Sequence, residues 1–120
     1  MTDAAACMPI QRVRDLIESV LRQGDFPGCD ELVRQASSVE VVGGPITMID
    51  LRVDHALAPS VVADGPIPLD LIASDAAGDP IGVLLIWVER GYLSCLEFGW
   101  WSDDPPVQLP SVGQVRVIRK

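Results

Sequence analysis

Little in this sequence advertises a chemistry. It has one histidine, His55, and three cysteines, Cys7, Cys29 and Cys95, whose wide spacing fits neither a zinc site nor a disulfide framework. An odd number of scattered cysteines suits reduced thiols in a cytoplasmic protein. Nine Lys and Arg stand against seventeen Asp and Glu, for a net charge of −8. Such a surface repels phosphate backbones, so no nucleic-acid partner is expected. The longest purely apolar run, Val83 to Val88, is far short of a membrane span. The opening MTDAAACMP has no basic stretch ahead of an apolar core, so no secretory signal is expected either.

The usual catalytic and cofactor signatures are missing as well. Gly43-Gly44-Pro45 is followed by no Lys-Ser/Thr, and reads as a turn rather than a phosphate cradle. There is no dinucleotide fingerprint and no Ser-His-Asp order. Asp50 and Asp54 fall on one side of an extended segment but about 13 Å apart, too far to share a metal, and His55 points the other way. No catalytic residue, metal or cofactor is therefore assigned.

What the chain does have is apolar content: 48% of 120 residues, with a positive mean hydropathy, enough for one domain with a core that needs no staples. The organising stretch is Pro80 to Trp101. Ile81 to Val88 is a β-branched and aromatic run too short for a convincing helix, and Tyr92 to Phe98 resumes it after Glu89-Arg90-Gly91. The pair predicts a long antiparallel hairpin. A two-residue turn on Arg90-Gly91 would need φ > 0 at both positions, which suits Arg poorly, so a three-residue loop with Gly91 alone left-handed is expected. In that register Leu84, Ile86 and Val88 share a face with Tyr92, Leu96 and Phe98, and Val83, Leu85 and Trp87 share the other with Leu93, Cys95 and Glu97. Both faces are largely apolar, which predicts cover on both sides, by helices on one and by a loop or a second subunit on the other.

The remaining elements follow from periodicity. Ile10, Val13, Leu16, Ile17, Val20 and Leu21 recur at helical spacing behind Pro9, and Gly24 ends that helix. A short second helix places Cys29, Leu32, Val33 and Ala36 on its apolar side. Asp25, Asp30 and Glu31 around Cys29 oppose thiolate formation, which makes it a buried inert thiol. Val39 to Val42 and Ile46 to Asp54 read as strands around Gly43-Gly44-Pro45, Ala56 to Pro68 as an irregular connection, and Leu69 to Ala76 as another strand. The expected fold is α+β, two N-terminal helices packed on an antiparallel sheet of about five strands. Residues 1–8 form a tail, 9–110 the domain, and 111–120 a tail or an edge strand.

The segments DFPGCDELVRQ (25–35), TMIDLRVD (47–54), GDPIGVLLIWVERGYLSCLEFGWWSDDPP (78–106) and LP (109–110) resemble a family of small actinobacterial proteins of unknown function. The most specific part is a G-x-L-x-x-LE block at Gly91, Leu93, Leu96 and Glu97. Some relatives carry a Cys- and Gly-rich segment near Gly43-Gly44-Pro45, and this chain has no cysteine there. The resemblance implies no catalytic or binding residue.

The function expected from all this is a non-enzymatic protein–protein interaction domain, with a homodimer as one form. Candidate interaction residues are Trp87 and Glu97 in the hairpin, and Trp100, Trp101, Asp103 and Asp104 after it, since aromatic residues anchor interfaces. Two alternatives remain. The charge and Asp103-Asp104 suit an immunity-type protein sheathing a basic toxin, and Glu97 on an apolar face suits a general acid or base.

Overall fold

A computed structural model describes residues 10–119, so the expectations for Pro9 and Cys7 fall outside the described residues. The first helix, α1 (Ile10–Arg22), buries Val13, Leu16, Ile17, Val20 and Leu21. That stripe comes from spacing alone, and each buried side chain contributes about 1.5–3 kcal/mol. Gly28 precedes α2 (Cys29–Ala36), whose buried side holds Cys29, Leu32, Ala36 and also Gln35.

Seven antiparallel strands follow: β1 (Glu40–Gly43), β2 (Met48–Arg52), β3 (Gly65–Pro66), β4 (Leu69–Ser74), β5 (Pro80–Glu89), β6 (Tyr92–Trp100) and β7 (Val115–Arg119). They form one sheet in the order β1-β2-β6-β5-β4-β7, with β3 also paired to β5. The count exceeds five for two reasons. The proline-rich connection touches β5 at Gly65 and Pro66, and the C-terminal residues 115–119 do form an edge strand, on β4.

The hairpin is antiparallel as expected, but its turn is not the expected one. Glu89 pairs with Tyr92, leaving a two-residue turn in which Arg90 has φ +54° and Gly91 φ +86°. The left-handed cost at Arg90, about 1–2 kcal/mol, is offset by bonds from outside the hairpin. Arg90 N donates to Asp64 Oδ1 at 2.8 Å, and Gly91 O accepts from Ser60 N at 2.8 Å and from Gln35 Nε2 at 2.9 Å. Gly91 cannot be replaced freely, because an added Cβ would sit 2.6 Å from Pro59 Cβ.

The tight turn shifts the pairing by one residue, and a β-bulge returns Leu96 and Phe98 to the face of Leu84 and Ile86. Val88 pairs with Leu93 and Trp87 with Cys95, so Ser94 is the extra residue. Its hydroxyl donates to Trp87 O at 3.3 Å. Leu93 consequently joins Leu96 and Phe98 in the core at 2% exposure, and Tyr92 leaves the face to which the three-residue loop assigned it.

Among the described residues the core lies on one side of the sheet only. Ile49, Leu51, Leu71, Leu84, Ile86 and Phe98 meet the helices there, together with Leu109 from the segment after β6. The molecule measures 38 × 35 × 21 Å. A 21 Å thickness accommodates one sheet and one helix layer, with about 10 Å between layers. The second layer expected over Trp87 and Leu85 is not supplied by the described residues of this chain.

Candidate functional site

The uncovered side of the sheet is the candidate site. Alternation from the observed pairs puts Val83, Leu85 and Trp87 of β5 on it, with Cys95 and Glu97 of β6 alongside. Beyond β6 come Met48, Asp50 and Arg52 of β2, and on the other side Asp70 and Ile72 of β4 with Ile118 and Arg116 of β7. Val83, Leu85, Trp87, Cys95 and Glu97 are all half-buried. Their shielding comes from one another, since every fully buried strand residue points to the helix side.

Two of the candidate residues are bonded here. Trp87 Nε1 donates to Glu97 Oε1 at 3.0 Å across a diagonal of the β5–β6 pair. The bond holds an indole and a carboxylate together at the centre of the face. Between Glu97 and Asp50 sits Cys95, whose thiol pKa is pushed up to about 11 by burial first, then by Asp50 and by Glu97. A thiol in that setting is a small apolar filler rather than a nucleophile. Cys29 behaves likewise: burial raises its pKa first, then Asp30, Asp25 and Glu31, and its Sγ donates to Leu21 O at 3.0 Å.

The other candidates lie elsewhere. Trp100 pairs with Gly82, on the helix-side alternation, and is 39% exposed, while Trp101 is 60% exposed. Five residues of β5 separate the levels of Gly82 and Trp87, roughly 17 Å. Asp103 and Asp104 follow in an exposed loop in which Ser102 Oγ donates to Asp104 O at 2.8 Å. The sequence pattern therefore splits into a central patch around Trp87 and Glu97 and a distal one around Trp101.

Clefts elsewhere are lined by polar groups already engaged. The groove between Arg14, Arg52 and His55 is an example. There Arg14 Nε donates to Val39 O at 2.8 Å, Arg52 bonds Glu40 at 3.0 Å, and Asp54 Oδ1 accepts from Ala56 N at 2.9 Å. His55 stacks on Tyr92 with ring centroids 4.0 Å apart. Among the described residues no three His, Cys, Asp or Glu converge as a metal site, and no helix is long and apolar enough to cross a membrane. Glu97 stands on an open face rather than in any of these clefts.

Sequence reasoning missed Gln35, which is fully buried and holds the turn that sets the face's register. Its signal was present: position 35 continues the Cys29, Leu32 spacing of the buried stripe of α2. Set against protein-family models, curated proteins and solved structures, the chain matches none of the three, so the functional reading rests on its own geometry.

Proposed function

We propose that the chain is a non-enzymatic protein–protein interaction domain working through the open face of its sheet. The observation that carries this reading is the row Val83, Leu85 and Trp87, half-buried at the centre of a sheet that the described residues cover on its other side only. A contiguous apolar row of this kind, rimmed by charged residues, is typical of a binding surface. Trp87 with its bonded Glu97 supplies an aromatic anchor whose polar end is satisfied.

Hydroxyl-radical footprinting tests it. Trp87 and Met48 are labelled readily in the dilute purified protein and are protected in concentrated extract of the producing cells. Equal labelling in both removes the reading.

One observation favours a second reading, an immunity-type protein with a basic partner. Asp50 and Glu97 both lie along the β6 side of the apolar row, and the distal patch ends on exposed Asp103 and Asp104. Protection of cells from a toxin encoded beside the chain supports it, and unchanged killing removes it.

A further inference from the structure

We infer that the outer edge of β7 is a further interaction surface, which pairs antiparallel with an extended acidic segment of another protein carrying two carboxylates three positions apart. It uses the backbone edge of the sheet and does not depend on the role proposed for the open face.

Of the two outermost strands, β7 is the one fit to receive another. On β1 the register breaks between Val41 and Gly43, and Gly44, at φ +93°, and Pro45 follow. By contrast β7 holds no glycine or proline, and its five residues pair with β4 without a break. Every second residue of such a strand turns its N–H and C=O away from its neighbour. Among the described residues no strand takes up those groups on the outer side of β7.

Beside that edge runs a groove of about 580 Å³ lined by Arg22, Gln23, Arg116, Val117, Ile118 and Arg119. No residue of β4 lines it, so it lies on the outer side of β7. It holds three of the nine basic residues and no acid, a local reversal of sign in a chain of net charge −8, whereas the groove at Arg14 and Arg52 also holds Glu40 and Asp54. This groove departs from the other clefts in having a charged side chain with no partner: Arg116 makes no side-chain hydrogen bond or ion pair among the described residues. Arg22 is paired with Glu18 at 2.8 Å and Arg119 lies 3.6 Å from Asp25, but both pairs are exposed and each is worth less than about 1 kcal/mol, so an incoming carboxylate can take their place. Gln23 O accepts from Arg119 Nε at 2.8 Å, which fixes the guanidinium beside the edge and leaves its other N–H donors for a ligand.

The register sets the sequence preference. Arg116 and Ile118 stand on the open side of the sheet, and Val117 and Arg119 on the helix side. An added strand therefore sets carboxylates against Arg116 and Arg119, three positions apart, and apolar residues against Val117 and Ile118, the latter 39% exposed. Charges on an edge commonly block strand addition. Here they turn away a second β7, because two copies paired about Val117 would set Arg116 diagonal to its own equivalent, and they admit an acidic strand.

Fluorescence anisotropy with a labelled peptide, Thr-Glu-Val-Val-Glu-Thr, provides the test, with amide hydrogen exchange to locate it. The peptide is expected to bind saturably, to weaken with added salt, and to slow exchange in β7 but not in β6. Thr-Val-Glu-Glu-Val-Thr, of the same composition and charge, and versions of the first peptide N-methylated at alternate residues in either phase should include binders at least tenfold weaker: the rearranged peptide, and the phase that removes the N–H groups facing β7. Arg116→Glu should weaken the first peptide by about tenfold, and Thr-Glu-Val-Val-Lys-Thr should recover the loss on that variant. Arg116 is exposed, so folding should survive, which circular dichroism confirms, and the peptide variants ask the same question without altering the protein. No saturable binding up to about 1 mM peptide overturns the inference. Equal binding of the rearranged peptide, or of both methylated ones, overturns strand pairing, and an affinity unchanged by Arg116→Glu overturns the groove. Slowed exchange at Trp87 instead of in β7 would put the peptide on the open face and overturn the inference while leaving the role proposed for that face standing.

Discussion

The side chain of Gln35 bridges the central turn through Gly91: Nε2 donates to Gly91 O at 2.9 Å, while Oε1 accepts from Leu93 N at 3.0 Å. One buried amide thus fastens α2 to the point where the hairpin reverses. It also fixes which way Leu93 faces, and with it the residues left on the open side.

Replacing Gln35 with Leu keeps similar bulk but removes the acceptor of the buried Leu93 N–H and one of the donors to Gly91 O. The expected loss is about 2–3 kcal/mol, read as a lower urea midpoint. A lower hydrogen-exchange protection at Leu93 should accompany it.

Arg90 occupies the left-handed region with φ +54°, which Asn tolerates better than Arg. Arg90→Asn is expected to stabilise by about 1 kcal/mol. Gly91→Ala should do the opposite and more strongly, because φ is +86° and the new Cβ would meet Pro59 and Ser60. Chemical denaturation of both variants checks the contrast; equal midpoints would mean that the turn opens without cost.

Cys95 has its pKa raised from 9.0 to about 11, by burial first and then by Asp50 and Glu97. At pH 8 it should alkylate more slowly than a free thiol, and Asp50→Asn should speed the reaction. The sign for stability follows from the same shift. Below 9.0 the thiol is neutral in both states; between 9.0 and about 11 the unfolded chain ionises first, so this contribution falls as pH rises through that window. Comparing Cys95→Ala with the wild type across the window isolates it.

Glu97→Gln keeps an oxygen for Trp87 Nε1 and removes a negative charge from the centre of the open face. Stability should change by less than about 1 kcal/mol, and Cys95, whose thiol pKa Glu97 helps to raise, should alkylate faster at pH 8. Urea denaturation and thiol-labelling rates read both quantities, and an unchanged labelling rate would mean that the carboxylate does not act on Cys95.

The hairpin, both helices and the core face of β5 were legible because apolar spacing is a local property of the chain. Leu84, Ile86 and Val88 alternate, and the α1 stripe recurs at helical period, whatever else is nearby. The resemblance block also gains a physical reading. Gly91 makes the turn, Leu93 and Leu96 fill the core, and Glu97 stands on the open face. The turn type was not legible, because what makes Arg90 acceptable there comes from Asp64, Ser60 and Gln35, 26 to 56 positions away from the turn residues they bond.

By itself the sequence determined which residues are apolar, at what period they recur, and hence that two amphipathic helices and a long central hairpin must share a core. Only the tertiary structure decided that the helices and the segment carrying Leu109 all go to one side, leaving Trp87 and Leu85 uncovered by the described residues. The reason is that a strand's alternation marks two faces but not what covers them, and covering depends on contacts between residues far apart in the chain.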